Sequence, residues 1–409
     1  MIDAVVIGGG QAGLAASSHL RAQGIDHVVL ERGRVAETWR TSRWDGFHLN
    51  TPNWATQLPG MEPLDSDPDG FAPLAEVIAM LEAYARHIDA PVHTGAPVSA
   101  LRHRRTAFEL EAGDETILAR SVVVATGAFQ QPTTPPAVAG APESVLQLHT
   151  SAYRRPGDLP DGGVLIVGSG QSGCEIGQEL LDAGHEVHLA LGRCGWAPRR
   201  YRGRELVRWL VDVGLMDETA DVLSSPAARV AGNVTVSGAR GGVDCNPVVL
   251  EAGGAHLHGR LTGFRDGRAV FADDLEPALE TGRNFDRDLR ARCDEYARQA
   301  GLDLPEHAPI EPPRPRGAPV LELPLDGGSV NTILWANGFR PAFGWIDVPV
   351  FDEMGFPRAR RGVTDVPGLV FLGLPWLHTR RSSLLLGIGG DAEHVAGAIA
   401  SHLEGAVPA

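Results

Sequence analysis

Ile2-Asp-Ala-Val-Val-Ile-Gly-Gly-Gly-Gln-Ala-Gly13 and Gly163-Val-Leu-Ile-Val-Gly-Ser-Gly-Gln-Ser-Gly173 are two copies of one pattern. Each begins with an apolar run that reads as a buried strand, Ile2 to Ile7 and Val164 to Val167. Each then opens into a helix-compatible stretch, Leu14–Arg21 and Glu175–Asp182. The glycines Gly8, Gly10 and Gly13, like Gly168, Gly170 and Gly173, have separate tasks: a tight turn, close approach of backbone to pyrophosphate, and close helix–strand packing. The helix that follows offers free N–H groups and the positive end of its dipole to phosphate. One such motif is weak evidence. Two, each in strand–turn–helix context, imply that one chain holds two dinucleotides.

A length of 409 residues suits two domains better than one core. Apolar and charged content are ordinary for a globular protein. The formal charge of −15 argues against a nucleic-acid partner, which needs a basic face. No basic and apolar leader precedes the first strand, and no apolar run approaches a bilayer span. The four cysteines (Cys174, Cys194, Cys245 and Cys293) are unpatterned, as reduced cytoplasmic thiols are. Without a Cys-x-x-Cys pair, the chain lacks the dithiol on which thioredoxin-reductase-like flavoproteins depend.

Along the chain, Val28-Val29-Leu30 reads as the second strand of the first unit, closed by Glu31, and a loop-rich stretch runs from Arg32 to Phe71. A helix is expected at Leu74–His87, antiparallel strands around Ala100–Ala119, and a buried strand from Ser121 ending at Gly127. The Pro-rich stretch Gln131–Pro160 reads as a linker. The second unit gives a strand at Glu186–Leu191, then a mixed segment at 196–245 with helical character over Arg204–Val213. Strands at His256–Leu261 and Arg268–Phe271 and a helix at Arg287–Gly301 follow. Thr332 to Gly338 repeats the strand-to-glycine ending of Ala125-Thr126-Gly127, and Gly368–Gly373 and Asp391–Leu403 close the chain as strand and helix. The expected fold is α/β, with two Rossmann-like domains, the second inserted in the first. Residues 1–158 and 331–409 form the FAD-binding domain. Residues 159–330, including the inserted segment 196–245, form the NADP(H)-binding domain.

The ends of the two second strands decide which nucleotide goes where. Glu31 supplies the carboxylate that hydrogen-bonds an unphosphorylated ribose, which fits FAD or NAD. Gly24 precedes Glu31 as Gly184 precedes Leu191, so Leu191 stands where the second acid would be, and Gly192 and Arg193 follow it. A missing acid beside an arginine favours a 2′-phosphate, because guanidinium binds phosphate with paired, charge-assisted hydrogen bonds. NADPH is therefore expected in the second cleft, with Arg199 and Arg200 as further candidates, and FAD in the first.

The chain resembles the flavin-containing monooxygenase group of two-dinucleotide flavoproteins over nearly its whole length. The likeness rests on Gly8–Gly13, Glu31-Arg32, Thr38-Trp39-Arg40, Leu49-Asn50-Thr51, Ala125-Thr126-Gly127, Gly168–Gly173, Trp335 to Pro341 and Gly368–Gly373. It implies that Gly8, Gly10, Gln11, Ala12, Gly13, Glu31, Arg32, Thr38, Trp39, Arg40, His48, Asn50, Thr51, Val98, Ala125, Thr126, Gly127 and Gly373 line the flavin nucleotide. Gly168, Ser169, Gly170, Gln171, Ser172, Gly173, Arg193, Asn337 and Gly338 are the matching positions for the nicotinamide nucleotide and its turn. Asn50 looks like the asparagine that sits by the flavin and the oxygen-reaction site. The family's signature between domains survives here only as His149 and Tyr153. Glu143 and Val145 replace its Phe and Gly, and Asn337 replaces a usual threonine.

What the resemblance implies is hydride transfer from NADPH to flavin, then a C4a-(hydro)peroxide with O2. That intermediate would deliver one oxygen to nitrogen, sulfur or a carbonyl carbon of a small organic substrate. An NADPH-dependent reductase or oxidase on the same scaffold, and a redox-sensing flavoprotein without turnover, remain open beside it. By position alone Asn50 also reads as a turn residue before Pro52. His48 and His378 are candidates to touch the flavin or substrate, but a lone histidine is more often an ordinary hydrogen-bonded one. His256-x-His258 has no third ligand at metal spacing. Trp44, Trp54 and Trp376 serve as site walls or as packing, and Cys174 as small-residue packing. A homodimer is allowed but not required.

Overall fold

A computed structural model describes residues 1–61, 67–136, 140–230, 234–307, 317–325 and 329–405. Residues 137–139 of the Pro-rich stretch, 231–233 of the inserted segment, and 308–316 and 326–328 of the second unit lie outside the described residues.

Ile2–Ile7 runs parallel to His27–Glu31 on one side and to Glu115–Val124 on the other. Its residues Ala4 to Val6 are fully buried, as an apolar run without alternation requires in a sheet covered on both faces. The strand Glu115–Val124 does two things that the sequence reads as separate elements. Its first half closes the antiparallel meander with Ala107–Ala112 and Val98–Arg104, and its second half lies parallel to Ile2–Ile7 and to Leu369–Phe371. Helix Gln11–Ala22 packs on the C-terminal helix Leu385–Gly405, so the end of the chain returns to the first unit.

The second sheet is wholly parallel, in the order His256–His258, Val187–Ala190, Gly163–Val167, Val330–Trp335, Leu146–His149. The Pro-rich stretch is therefore not only a linker. Leu146–His149 forms an edge strand, where few neighbouring residues must pair and nearby prolines are tolerated. Sheet membership also differs from the expected boundaries at 158/159 and 330/331, since Leu146–His149 and Val330–Trp335 both belong to the second sheet.

Two helices begin far earlier than their sequences suggest. Leu275–Gln299 starts ahead of Arg287 because Pro277 falls in the first turn, where no N–H is needed; Leu279, Asp286, Leu289 and Cys293 then form its buried stripe. Leu385–Gly405 starts ahead of Asp391, through glycines that read as breakers. At Gly387 a Cβ would stand 2.3 Å from the Arg381 carbonyl oxygen, so the glycine there serves close packing.

The segment 196–245 folds as a hairpin, a short helix Leu206–Asp212 and several single turns around Trp209, which is fully buried and donates its Nε1–H to the Tyr201 carbonyl at 2.9 Å. It packs across the boundary between the units. Gly238 lies so close to Leu49 that a Cβ would meet its carbonyl at 1.9 Å. Thr219 bridges to Thr379, and Arg380 pairs with Glu218 at 3.0 Å. Among the described residues no helix is long and apolar enough to cross a membrane.

Candidate functional site

The two fingerprints repeat one geometry. Gly8 has φ +113°, and a Cβ there would stand 2.6 Å from the Ala125 oxygen; Gly168 has φ +112°, with Ala336 oxygen at 2.5 Å. A Cβ at Gly13 would lie 1.8 Å from the Gly8 oxygen, and one at Gly173 would lie 2.0 Å from that of Gly168. At Gly10 and Gly170 a Cβ would meet nothing within 4 Å. Two glycines of each set are thus demanded by packing. The third faces open space, at the N-terminus of a helix with no side-chain cap and no acid in its first turn. That is a cradle for an anion held by backbone N–H groups.

In the first cradle, Glu31 is buried and accepts from Gly9 N–H at 2.6 Å and Gly33 N–H at 2.8 Å. A carboxylate offers about four lone-pair sites, so this one retains acceptor capacity toward a ribose. Gln11 donates to the Ser383 carbonyl at 2.9 Å while its Oε1 is buried with no partner, a polar atom left for a ligand. Ala12 faces Gly373, where a Cβ would come within 2.6 Å. Val98 lies two residues beyond Ala96, whose N–H donates to the Glu31 carbonyl at 2.9 Å. Thr126 accepts from Gln130 at 3.0 Å beside Gly127, which has φ +71°. Arg32 is exposed, Thr38, Trp39 and Thr51 are half-buried, and Arg40 is turned to Glu82. His48 bonds the Gly46 carbonyl at 3.0 Å.

In the second cradle, Leu191 is buried, and Arg193 is exposed with no hydrogen bond or ion pair among the described residues. The Ser169 hydroxyl accepts from Gly192 N–H at 3.1 Å, stitching the fingerprint to the end of the second strand. Gln171 accepts from Val236 N–H at 3.3 Å. Ser172 is half-buried. Gly338 has φ +72°, and its carbonyl lies 3.0 Å from His149 Nε2. Asn337 is exposed beside it.

Arg199 and Arg200 are both engaged by other protein groups. Arg199 is buried, stacked 4.1 Å over Phe71 and 2.6 Å from the Glu205 carboxylate. Arg200 donates to the Gly241 and Gly242 carbonyls at 3.1 and 3.0 Å. The pairing of a hairpin's two strands fixes these directions, which a cluster of arginines in sequence does not disclose.

The units meet at Asn50. Its side-chain nitrogen donates to Glu175 Oε2 at 3.3 Å, its Oδ1 accepts from Gly238 N–H at 3.1 Å, and its backbone carbonyl accepts from Arg199 at 2.8 Å. Glu175, on the second fingerprint helix, is buried, and burial pushes its carboxyl up to about 7 against the pull of Gln171, Asn50, Ser237 and Arg43. Burial likewise pushes the Arg43 guanidinium down to about 10; it lies over Phe129 at 4.4 Å and near Trp39 and Phe47. Sequence reasoning passes over Glu175. The available signal is an acid flanked by Gly173, Cys174, Ile176 and Gly177, all of them small or apolar and buried.

The remaining aromatic and histidine candidates divide. Trp44 is buried edge-on to Phe47 in the core, Trp54 lies under Arg208 at 4.5 Å, and Trp376 lies under Arg380 at 4.7 Å. His378 faces Asp391 at 3.7 Å. His258 Nε2 bonds His188 Nδ1 at 3.0 Å, and burial pushes His258 down to about 4. Among the described residues no three side chains converge as metal ligands. Cys174 is buried and donates to the Ser169 carbonyl at 3.3 Å.

Comparison with known proteins agrees with this fold. The family described as pyridine nucleotide-disulphide oxidoreductase matches residues 5–212. An uncharacterized oxidoreductase, CzcO-like, of Geobacillus kaustophilus is 30% identical over 98% of this chain and 99% of its own. Indole-3-pyruvate monooxygenase YUCCA1 of Oryza sativa is 30% identical over 58% of this chain and 60% of its own. Among solved structures, a flavin-containing monooxygenase from Stenotrophomonas maltophilia superposes with a TM-score of 0.68 at 20% identity, covering 98% of this chain and 99% of that one.

Proposed function

The chain belongs to the pyridine nucleotide-disulphide oxidoreductase family, and on that premise we propose that it is an NADPH-dependent FAD monooxygenase transferring one oxygen atom of O2 to a small organic substrate. The observation that carries this reading is the pair of matching glycine cradles, one closed by Glu31 and the other by Leu191 with a free Arg193, joined through Asn50. Bound FAD and NADPH would supply the hydride transfer and the dioxygen activation.

The protein's residues do the rest. The helix N-termini at Gln11 and Gln171 hold the two pyrophosphates, Glu31 accepts from the flavin-nucleotide ribose, and Arg193 binds the 2′-phosphate. Asn50, where the units meet, keeps one amide N–H uncommitted among the described residues. The inserted segment, packed on Leu49 and Phe71 and tied to Thr379 and Arg380, excludes water from this junction.

The cysteines support oxygenation over dithiol reduction. Cys174 and Cys194 share the Ser169 carbonyl as acceptor, at 3.3 and 3.0 Å, but burial pushes both thiols up, away from the reactive thiolate. The test is NADPH consumption across amines, sulfides and ketones, with isotope-labelled O2 and mass spectrometry. A product heavier by one labelled oxygen is expected. Hydrogen peroxide formed one-for-one with NADPH, with no oxygenated product, would favour an oxidase or reductase instead.

A further inference from the structure

An asparagine amide is nearly symmetric in shape and opposite in chemistry at its two ends. Rotating it by half a turn exchanges a donor for an acceptor at almost no steric cost. At Asn50 two neighbours set the same orientation. The Gly238 N–H, at 3.1 Å, requires an oxygen, and the Glu175 Oε2, which accepts when the group is ionised or carries its proton on Oε1, takes the nitrogen at 3.3 Å. With Oδ1 on Gly238 and one Nδ2 hydrogen on Glu175, the second Nδ2 hydrogen has no acceptor among the described residues.

We propose that Glu175 is a positioning residue for the oxygenation, which it serves by locking the Asn50 amide so that its uncommitted N–H faces the reacting groups. The role rests on the function proposed above. It also couples the units, because Glu175 rides on the helix that opens the nicotinamide cradle, while Asn50 belongs to the flavin side. Glu175 is held in turn by Gln171 and Ser237, and Arg43, Arg199, Cys174 and Cys245 are the other titratable groups that face it. The inserted segment supplies Ser237 and Gly238 together, so its seating and the Asn50 orientation form one unit.

Three variants separate this role from simple packing. Glu175→Gln keeps an oxygen to accept from Asn50, Glu175→Leu keeps volume without acceptors, and Asn50→Ala removes the amide and leaves Glu175 in place. Two readouts are taken on the purified, flavin-loaded protein: hydrogen exchange of the Gly238 amide, and product formed per NADPH consumed. Glu175→Leu and Asn50→Ala should both speed Gly238 exchange about tenfold, the scale of one lost hydrogen-bond restraint. Both should lower product per NADPH several-fold, and the double variant should be no worse than Asn50→Ala alone. Glu175→Gln should stay within about twofold of wild type on both readouts.

Unchanged Gly238 exchange in Asn50→Ala, or in a folded Glu175→Leu protein, overturns the proposal. So does a Glu175→Gln variant as impaired as Glu175→Leu, or additive losses in the double variant. If the wild-type protein forms no oxygenated product at all, the functional reading fails on its own, and the exchange experiment still decides whether Glu175 orients Asn50.

Discussion

The Arg199 guanidinium lies 2.6 Å from the Glu205 carboxylate with both side chains buried, and neither has the alignment of a hydrogen bond to the other. Burial prevails over their attraction: it pushes Arg199 down to about 10 and raises Glu205 above the usual carboxylate range. Removing Arg199 leaves the Glu205 carboxylate buried with the Arg208 N–H at 3.2 Å but without the guanidinium beside it. Arg199→Met should therefore destabilise the protein by about 3–5 kcal/mol, whereas Arg199→Met with Glu205→Leu should recover most of that loss. Chemical denaturation of the two variants checks this, and a double variant less stable than the single one would contradict it.

The cradle glycines separate folding from binding. A Cβ at Gly13 would collide with the Gly8 oxygen at 1.8 Å, so Gly13→Ala should fail to fold or be isolated without flavin. A Cβ at Gly10 meets only open space and its φ is −91°, so Gly10→Ala should melt within about 1 kcal/mol of the flavin-stripped wild-type protein. It should nonetheless lose the flavin, because the methyl group stands where the pyrophosphate approaches. Melting curves and the visible spectrum of the purified variants distinguish the two. A yellow, tightly loaded Gly10→Ala protein would mean that the anion lies elsewhere.

The two fold units are legible in the sequence because their information is local. A run such as Ala4-Val5-Val6-Ile7 states burial on both faces, and the glycines that follow state the turn. Glu31 and Leu191 are legible for the same reason, as they are reached by counting along one strand–turn–helix unit. Arg199 is not legible, because its direction is set by a hairpin and by Phe71, which lies far away in sequence. Glu175 is missed because one acid in a helix looks like a solvent-facing residue until the other unit covers it. The edge strand Leu146–His149 is hidden by its prolines, and the start of Leu385–Gly405 by glycines that serve packing.

We propose that Arg193 carries the nucleotide preference. It is exposed, adjoins the buried Leu191 and has no partner among the described residues, while Arg199 and Arg200 are both engaged. A charged hydrogen-bonded contact contributes about 1.5–3 kcal/mol, so Arg193→Ala should raise the KM for NADPH by roughly 10–100-fold. The KM for NADH and the kcat should change little, because the lost contact holds the ribose phosphate equally in ground and transition states. Steady-state kinetics with both nucleotides provide the check, and equal losses for NADH and NADPH would point to a structural effect.

Glu175 makes stability depend on pH in a direction opposite to that of most carboxylates. Burial raises its folded-state value to about 7, above that of an ordinary carboxyl, so the folded protein keeps a proton that the unfolded chain has released. The resulting stabilisation is fully present below about pH 4.5 and is lost as pH rises through 7, for a total on the order of 3 kcal/mol. Glu175→Gln removes the ionisation and keeps an acceptor for Asn50. Its stability relative to wild type should therefore increase between about pH 5 and pH 8 by most of that amount. Urea midpoints at the two pH values measure the difference. A gap that stays constant, or one that narrows toward the higher pH, would mean that Arg43 and the hydrogen bonds from Gln171, Asn50 and Ser237 outweigh burial and that Glu175 is ionised throughout.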